Sequence, residues 1–171
     1  MSQLAGYSRV QIVLHWVGAV MVTAAFVTHD GMIAAAKAVK EGTYSGPDTV
    51  ILTHVVSGII VFFLTLWRLG LLSRRGLPPP PDDEPAMLRG LAAAVKLMLY
   101  AIMIMMPASG VLNWFGGVAL ARQLHQLMEP VVPMAILLHL LGALYQQFWL
   151  KSGVLSRMLR PDIATVKRPP D

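Results

Sequence analysis

The sequence LHQLMEPVVPMAILLHLLGALYQQFWL, residues 124–150, sets the fold class of this chain. Glu129 is its only charged residue, and the run is long enough to cross the roughly 30 Å hydrocarbon core of a bilayer as a helix. The run also contains His125 and His139, and ionisable side chains inside a membrane are costly unless they have a function. The stretch therefore predicts a membrane-spanning helix that carries functional polar residues.

Three more apolar runs of similar length precede this one, at residues 10–28, 49–72 and 91–112. Backbone groups in lipid must find partners within their own segment, so each run is expected to be a helix. The runs are too long and too continuous for the strands of a barrel. We therefore expect an all-α integral membrane protein. It is a single domain over residues 1–171, a four-transmembrane-helix bundle with a tail at residues 151–171.

Composition excludes several other classes of protein. Hydrophobic residues make up 56% of the chain and charged residues 13%, against about 25% charged in soluble domains. The net charge of +5 comes from basic residues at segment ends without interleaved aromatics, which argues against nucleic-acid binding. The chain has no cysteine, which excludes disulfides, thiolate-bound iron–sulfur clusters and covalent c-type haem.

Lysine and arginine are distributed unequally between the two predicted sides of the membrane. If both termini share one side, that side has 11 basic residues and the opposite side has 3. Basic residues accumulate in cytoplasmic loops, so both termini are expected in the cytoplasm. The three on the outer side are Lys37, Lys40 and Arg122.

Four histidines fall at matched depths in the predicted helices. His125 and His139 are 14 residues apart, which corresponds to a rise of ~21 Å and about four turns, so they share a face at opposite depths. His54 enters its span from outside and His15 enters from the cytoplasm. We expect His54 to pair with His125 and His15 with His139, each pair binding one haem iron, an arrangement suited to electron transfer. The alternative is that they are buried histidines with ordinary hydrogen bonds.

Glycines lie on the same helical faces as three of these histidines. Gly18 is three residues after His15, Gly58 four after His54 and Gly142 three after His139, spacings that place each pair on one face. A missing side chain there would leave room for a porphyrin. The alternative is that these glycines mediate helix packing, as is common in membranes.

Two further polar residues are candidates for roles near a haem. Arg68 is 14 residues after His54 and would lie at the cytoplasmic end, where it could pair with haem propionates or extend to the interface. His29 is 14 residues after His15 and could compete as an outer ligand. His29 is followed by Asp30 and Gly31, which indicate the end of a helix. We therefore interpret His29 as a solvated histidine at the membrane interface.

Several short motifs occur in a recognisable order along the chain: Tyr7-Ser8-Arg9, Leu14-His15-Trp16, His54, Gly58, Arg68, Tyr100, Pro107, Gly110, Leu138-His139, Ala143-Leu144 and Arg157-Met158. In these positions the chain resembles the prokaryotic cytochrome b561 family, which comprises four-helix di-haem proteins of the bacterial inner membrane. The resemblance covers almost the whole chain and implies two b-type haems on His15, His54, His125 and His139. It also implies electron exchange with the quinone pool, and some relatives are similar to superoxide oxidases.

The chain departs from this family at two positions. Lys96 and Gln146 stand where relatives often carry further histidines, toward the cytoplasmic side where a quinone would bind. Either side chain could hydrogen-bond a quinone carbonyl, and Lys96 could equally extend to the interface. These departures leave the four haem histidines in place and change only the expected quinone site.

The leading hypothesis is transmembrane electron transfer from an outer haem to an inner haem and then to ubiquinone. The donor is superoxide or another periplasmic electron donor. The alternative with the same haems is a membrane-anchor subunit of a dehydrogenase or hydrogenase, with a partner protein docked on it. A non-redox alternative is a membrane protein whose histidines relay protons.

Overall fold

The computed structural model describes residues 6–76 and 84–161, and every regular element in these ranges is a helix. Residues 77–83 and the end of the tail at residues 162–171 lie outside the described residues. The helices are α1 (Arg9–Val27), α2 (His29–Glu41), α3 (Thr49–Arg75), α4 (Ala86–Trp114), α5 (Ala119–Met128), α6 (Val131–Phe148) and α7 (Val154–Arg157).

Four segments of the described chain are long and apolar enough to cross a membrane. They are Arg9–Val27, Thr49–Arg75, Ala86–Trp114 and Ala119–Phe148. The fold class expected from the sequence, an all-α membrane protein with four apolar helices, is confirmed. Three of the predicted spans correspond to α1, α3 and α4, and the fourth corresponds to α5 and α6 together.

Local sequence explains where the first and third helices begin. The Ser8 hydroxyl accepts from the Gln11 backbone N–H while the Gln11 side chain accepts from the Ser8 backbone N–H, which forms a capping box before α1. The Asp48 carboxylate accepts from the Ile51 backbone N–H at 2.9 Å and caps α3. These contacts satisfy backbone donors that helix starts otherwise leave open.

The polar segment after the first span forms a helix of its own. His29–Glu41 is helical, and the residue after its end is Gly42, whose left-handed backbone (φ 69°) suits glycine. α2 packs against α1 and α3. A Cβ at Gly31 would collide with the Val50 side chain, so α2 lies close to the start of α3.

The fourth span is broken rather than continuous. Pro130 and Pro133 predict a bend between His125 and His139, and the helix stops at Met128 and restarts at Val131. Proline lacks the N–H that an uninterrupted helix needs. The break sets the angle between the two helical pieces that carry the histidines.

The helices pack in an open arrangement that leaves a gap between the α1–α3 pair and the α5–α6 pair. α1 packs on α3, α3 on α4, and α4 on both α5 and α6. Among the described residues, no Cα atom of α1 or α3 comes within 8 Å of a Cα atom of α5 or α6. Both ends of the described chain meet at one end of the bundle, where the Trp16 indole N–H donates to the Met158 carbonyl at 2.9 Å. We call this the inner end and the opposite end the outer end.

Candidate functional site: two histidine pairs across an interhelical gap

At the outer end, the gap forms a cavity of ≈ 700 Å³. This volume lies within the range of about 300–1,000 Å³ that is usual for cofactor sites. His54 from α3 and His125 from α5 both line it, as do Gly58, Pro107 and Gly110. The structure therefore brings His54 and His125 to one site, as the depth argument expected.

Backbone carbonyls orient both outer histidines. Nδ1 of His54 lies 2.8 Å from the carbonyl oxygen of Ala25, in the last turn of α1, where helical carbonyls are short of partners. Nδ1 of His125 lies 2.9 Å from the carbonyl oxygen of Met106. A carbonyl can only accept, so each Nδ1 carries the proton and each Nε2 keeps a free lone pair. This is the usual arrangement around a metal-binding histidine.

His29 also lines the outer cavity, although its sequence context indicated a solvated position. It is half-buried, its ring centre is 6.3 Å from that of His54, and its Nε2 is 3.8 Å from a carboxylate oxygen of Glu129. The helical start of α2 turns this histidine toward α3. Sequence periodicity could not find this contact because it depends on how α2 packs.

At the inner end, His15 of α1 and His139 of α6 face each other across the gap. Their ring centres are 6.2 Å apart and their planes are inclined at 65°. Two imidazole nitrogens on opposite sides of one metal ion, each about 2 Å from it, place the ring centres roughly 6 Å apart. The spacing of the inner pair therefore suits two axial ligands of one haem iron.

Arg68 belongs to the inner site. One of its guanidinium nitrogens lies 3.4 Å from Nδ1 of His15, and its guanidinium carbon lies 5.5 Å from the centre of the Tyr100 ring. With Tyr7 and others it lines a small cavity of ≈ 20 Å³. Burial, and secondly the neighbouring Tyr100, raise the pKa of Tyr7 above its usual value, so this hydroxyl stays neutral beside Arg68.

The three glycines expected to make room for a porphyrin all lie beside open space. A Cβ added to Gly18, Gly58 or Gly142 would meet no atom within 4 Å. Gly58 lines the outer cavity. Gly70 and Gly90 are equally open and lie far from the histidines in sequence, so open space alone does not distinguish a cofactor face from a lipid face.

Gly110 was not among the candidate site residues, yet it lies directly against the ring of a candidate ligand. A Cβ at this position would lie 3.0 Å from Cε1 of His125. Glycine on α4 thus lets the His125 ring approach Met106. The match of Gly110 to the family pattern was the only sequence signal for it.

Lys96 and Gln146 both lie toward the inner end. Lys96 is exposed on α4 and is close enough to interact electrostatically with His139. The Gln146 amide donates to the carboxylate of Glu84, which is buried just before α4. Gln146 therefore already has a partner within the chain, which the sequence could not indicate because the two residues are 62 positions apart.

The donor set fits haem better than a bare metal ion. Over residues 6–76 and 84–161, no group of three or more His, Asp or Glu side chains gathers closely enough to hold a metal ion by itself. Haem iron needs only axial ligands from the protein, and neutral imidazoles on opposite sides of a gap provide them.

Comparisons with known proteins identify the family of this chain. Residues 6–161 match the family described as prokaryotic cytochrome b561. A protein named cytochrome b562 from Cereibacter sphaeroides is 36% identical over 164 residues, which cover 94% of this chain and 99% of that protein. The match spans all four apolar segments and all four paired histidines. The chain belongs to the prokaryotic cytochrome b561 family, and it is therefore a multi-pass membrane cytochrome that carries electrons on haem b.

Proposed function

We propose that the protein transfers electrons across the bacterial inner membrane through two haem b groups, each held by two histidines. His54 and His125 hold the outer haem, and His15 and His139 hold the inner one. The observation that carries the proposal is the gap between the α1–α3 and α5–α6 pairs, with imidazoles facing it from both sides at both depths. Bound haem supplies a reversible one-electron couple, and two histidine ligands leave no open position for oxygen.

The choice of His125 over His29 as the partner of His54 rests on orientation. His54 and His125 each have Nδ1 fixed by a backbone carbonyl. Among the described residues, no backbone carbonyl contacts the ring of His29, whose Nε2 lies 3.8 Å from Glu129 and which stands at the first turn of α2. A ligand whose ring is already oriented loses less freedom on binding iron.

The glycines and Arg68 support the same assignment. Gly18, Gly58 and Gly142 leave space beside His15, His54 and His139, respectively, for the planes of the two porphyrins. The Arg68 guanidinium lies beside the inner pair and is a partner for the propionates of the inner haem, because its planar fork matches carboxylates.

The outer end faces the periplasm and both termini face the cytoplasm in this proposal. The support is the excess of lysine and arginine at the inner end, 11 against 3. The three basic residues of the outer end, Lys37, Lys40 and Arg122, all line the outer cavity. They would attract a small anion to the outer haem.

Superoxide is the proposed donor and ubiquinone the proposed acceptor. Each superoxide ion gives up one electron and leaves as dioxygen. Two electrons and two protons convert one quinone to a quinol, so two superoxide ions balance one quinone. Lys96 is close enough to His139 to interact with it electrostatically, and its ammonium group would donate a hydrogen bond to a quinone carbonyl. Gln146 would first have to leave Glu84.

The visible spectrum of the detergent-purified protein, oxidised and then reduced by dithionite, tests the central claim. We expect sharp b-type bands and two haems per chain. Replacing His54 or His125 with Ala should remove one haem, and replacing His15 or His139 should remove the other. The matched control is His29→Ala, which should keep both haems because His29 lacks a fixed orientation.

Two results would contradict the proposal. A colourless protein from haem-replete cells would leave the proton-relay hypothesis as the better account of the histidines. Loss of the outer haem in His29→Ala but not in His125→Ala would overturn the ligand assignment.

A further inference from the structure

The two histidine pairs differ in which groups contact their Nδ1 atoms. In the outer pair, a carbonyl oxygen lies 2.8 Å from Nδ1 of His54 and another lies 2.9 Å from Nδ1 of His125. In the inner pair, the contact to Nδ1 of His15 is a guanidinium nitrogen at 3.4 Å. The imidazole of His139 makes no hydrogen bond to the described residues. Among the described residues, hydrogen-bond acceptors therefore contact Nδ1 of both outer histidines, whereas no acceptor contacts a ring nitrogen of the inner histidines.

This difference changes how well each pair stabilises oxidised iron. A hydrogen bond from the far nitrogen to a carbonyl makes the imidazole a more basic ligand. A more basic ligand favours the ferric over the ferrous state, which lowers the midpoint potential, and such hydrogen bonds are among the protein's means of tuning haem. Both outer ligands receive this support.

The inner pair has the opposite environment. An arginine only donates hydrogen bonds, so when Nε2 of His15 binds iron and Nδ1 carries the proton, Arg68 meets it donor to donor. The guanidinium charge then lies next to a ligand of iron, and the Lys96 ammonium is close enough to His139 to interact with it. Positive charge favours the reduced haem because ferric iron carries one more positive charge than ferrous iron.

Charges near the outer pair do not reverse this ordering. Glu129 is close enough to His125 to interact electrostatically with it, and a negative charge favours the ferric state. Lys37, Lys40 and Arg122 line the outer cavity, but all three are exposed and Lys37 contacts Glu41. Exposed charges, Lys96 on the inner side included, are weakened by water and salt. Arg68 is half-buried against its histidine, so its charge has the larger effect.

We propose that the inner haem has the higher midpoint potential, set by Arg68 and Lys96 on the inner side and by the carbonyls of Ala25 and Met106 on the outer side. Arg68 and Lys96 then act as tuning residues that make electron flow from the outer to the inner end favourable. This inference rests on the proposed function, because it requires both haems.

The test is a spectroscopic redox titration of the full-length purified protein. We expect two waves in the wild-type chain. Arg68→Met should move the higher wave to lower potential by at least tenfold in the reduced-to-oxidised ratio, about 59 mV for one electron, and leave the lower wave in place. Arg68→Lys should shift it less because the charge remains. Arg74→Met, an exposed arginine on the same helix, is the matched control and should move neither wave.

Two further variants keep the test decisive if Arg68→Met loses the inner haem. Lys96→Met, which touches no ligand, should also lower the higher wave. His139→Ala should leave a single haem that titrates at the lower potential. The proposal is overturned if Arg68→Met or Lys96→Met moves the lower wave, if neither moves any wave, or if the haem kept by His139→Ala titrates at the higher potential. A preparation without two haems would contradict the proposed function, so the two failures are distinguishable.

Discussion

Ser57 and Ser109 make the same kind of local hydrogen bond, but only one of the two hydroxyls also contacts a histidine ring. Ser57 donates to the carbonyl of His54, three residues earlier on α3, and Ser109 donates to the carbonyl of Met106, three residues earlier on α4. Only Ser109 also lies beside a histidine ring, with its oxygen 3.3 Å from Nδ1 of His125. Both residues are buried, so their contribution to packing is similar.

Ser109→Ala should raise the midpoint potential of the outer haem slightly. The change removes one weak acceptor beside Nδ1 of His125 while the Met106 carbonyl stays. A whole neutral hydrogen bond contributes about 1 kcal/mol, so we expect a shift below about 40 mV for a one-electron couple. The measurement is the same redox titration of the purified protein.

Ser57→Ala is the matched control and should leave both potentials unchanged. It removes a hydroxyl of the same kind, at the same helical spacing, that does not contact an imidazole nitrogen. An equal shift in both variants would mean that the change in potential reflects loosened packing and not the contact with His125.

The helix α2 is not part of any of the four spans, but it borders the outer site directly. It runs over the outer end and contributes His29, Lys37 and Lys40 to the cavity wall. Its close contact with α3 is between Gly31 and Val50. A larger side chain at Gly31 would push α2 away from Val50 near the start of α3, and His54 lies four residues after Val50 on the same helix.

Gly31→Leu should therefore weaken outer haem binding and spare the inner haem. Inserting a side chain into a packed contact costs about 1–3 kcal/mol. We expect the outer haem to be lost at a lower temperature in a thermal melt followed at the reduced haem band. Gly70→Leu is the control, because a side chain there would enter open space. Loss of both haems together in Gly31→Leu would contradict a role of α2 limited to the outer site.

The arrangement of the whole chain places both described ends together. The Trp16 indole on α1 reaches the Met158 carbonyl after the last span, and Arg68 and Glu84 lie at the same end. An even number of crossings brings the chain back to the side on which it started. Topology in the membrane is then fixed by which end faces the cytoplasm.

The cysteine-free sequence makes this topology directly testable. In Lys37→Cys, an impermeant maleimide added to spheroplasts should label the single cysteine. In Arg74→Cys, labelling should require permeabilised membranes. Both positions are exposed, so a difference in labelling reports the side of the membrane. The reverse pattern would contradict a cytoplasmic location of the termini.

Much of the fold follows from the sequence because the bilayer imposes it. Long apolar runs such as residues 49–72 must satisfy their backbone groups internally, so helix is the outcome whatever the neighbours do. The fixed rise of a helix also sets the depth of each histidine, which is why His15 and His139 could be matched before any contact was known.

Other features could not be read from the sequence because they depend on packing between distant elements. The carbonyls that support His54 and His125 belong to Ala25 and Met106, and every residue has a carbonyl, so no residue type marks them. The helical α2 and the inward position of His29 follow from a contact with α3. Gln146 meets Glu84 only through the fold.

The sequence by itself determined that this protein is a four-span helical membrane protein with histidines at two depths, because lipid and helix geometry act on each segment separately. Only the tertiary structure decided which helices leave a gap between them and which groups contact the Nδ1 atoms of the histidines. Those properties depend on contacts between side chains and carbonyls of different helices. Contacts between residues far apart in the sequence leave no periodic pattern along the chain.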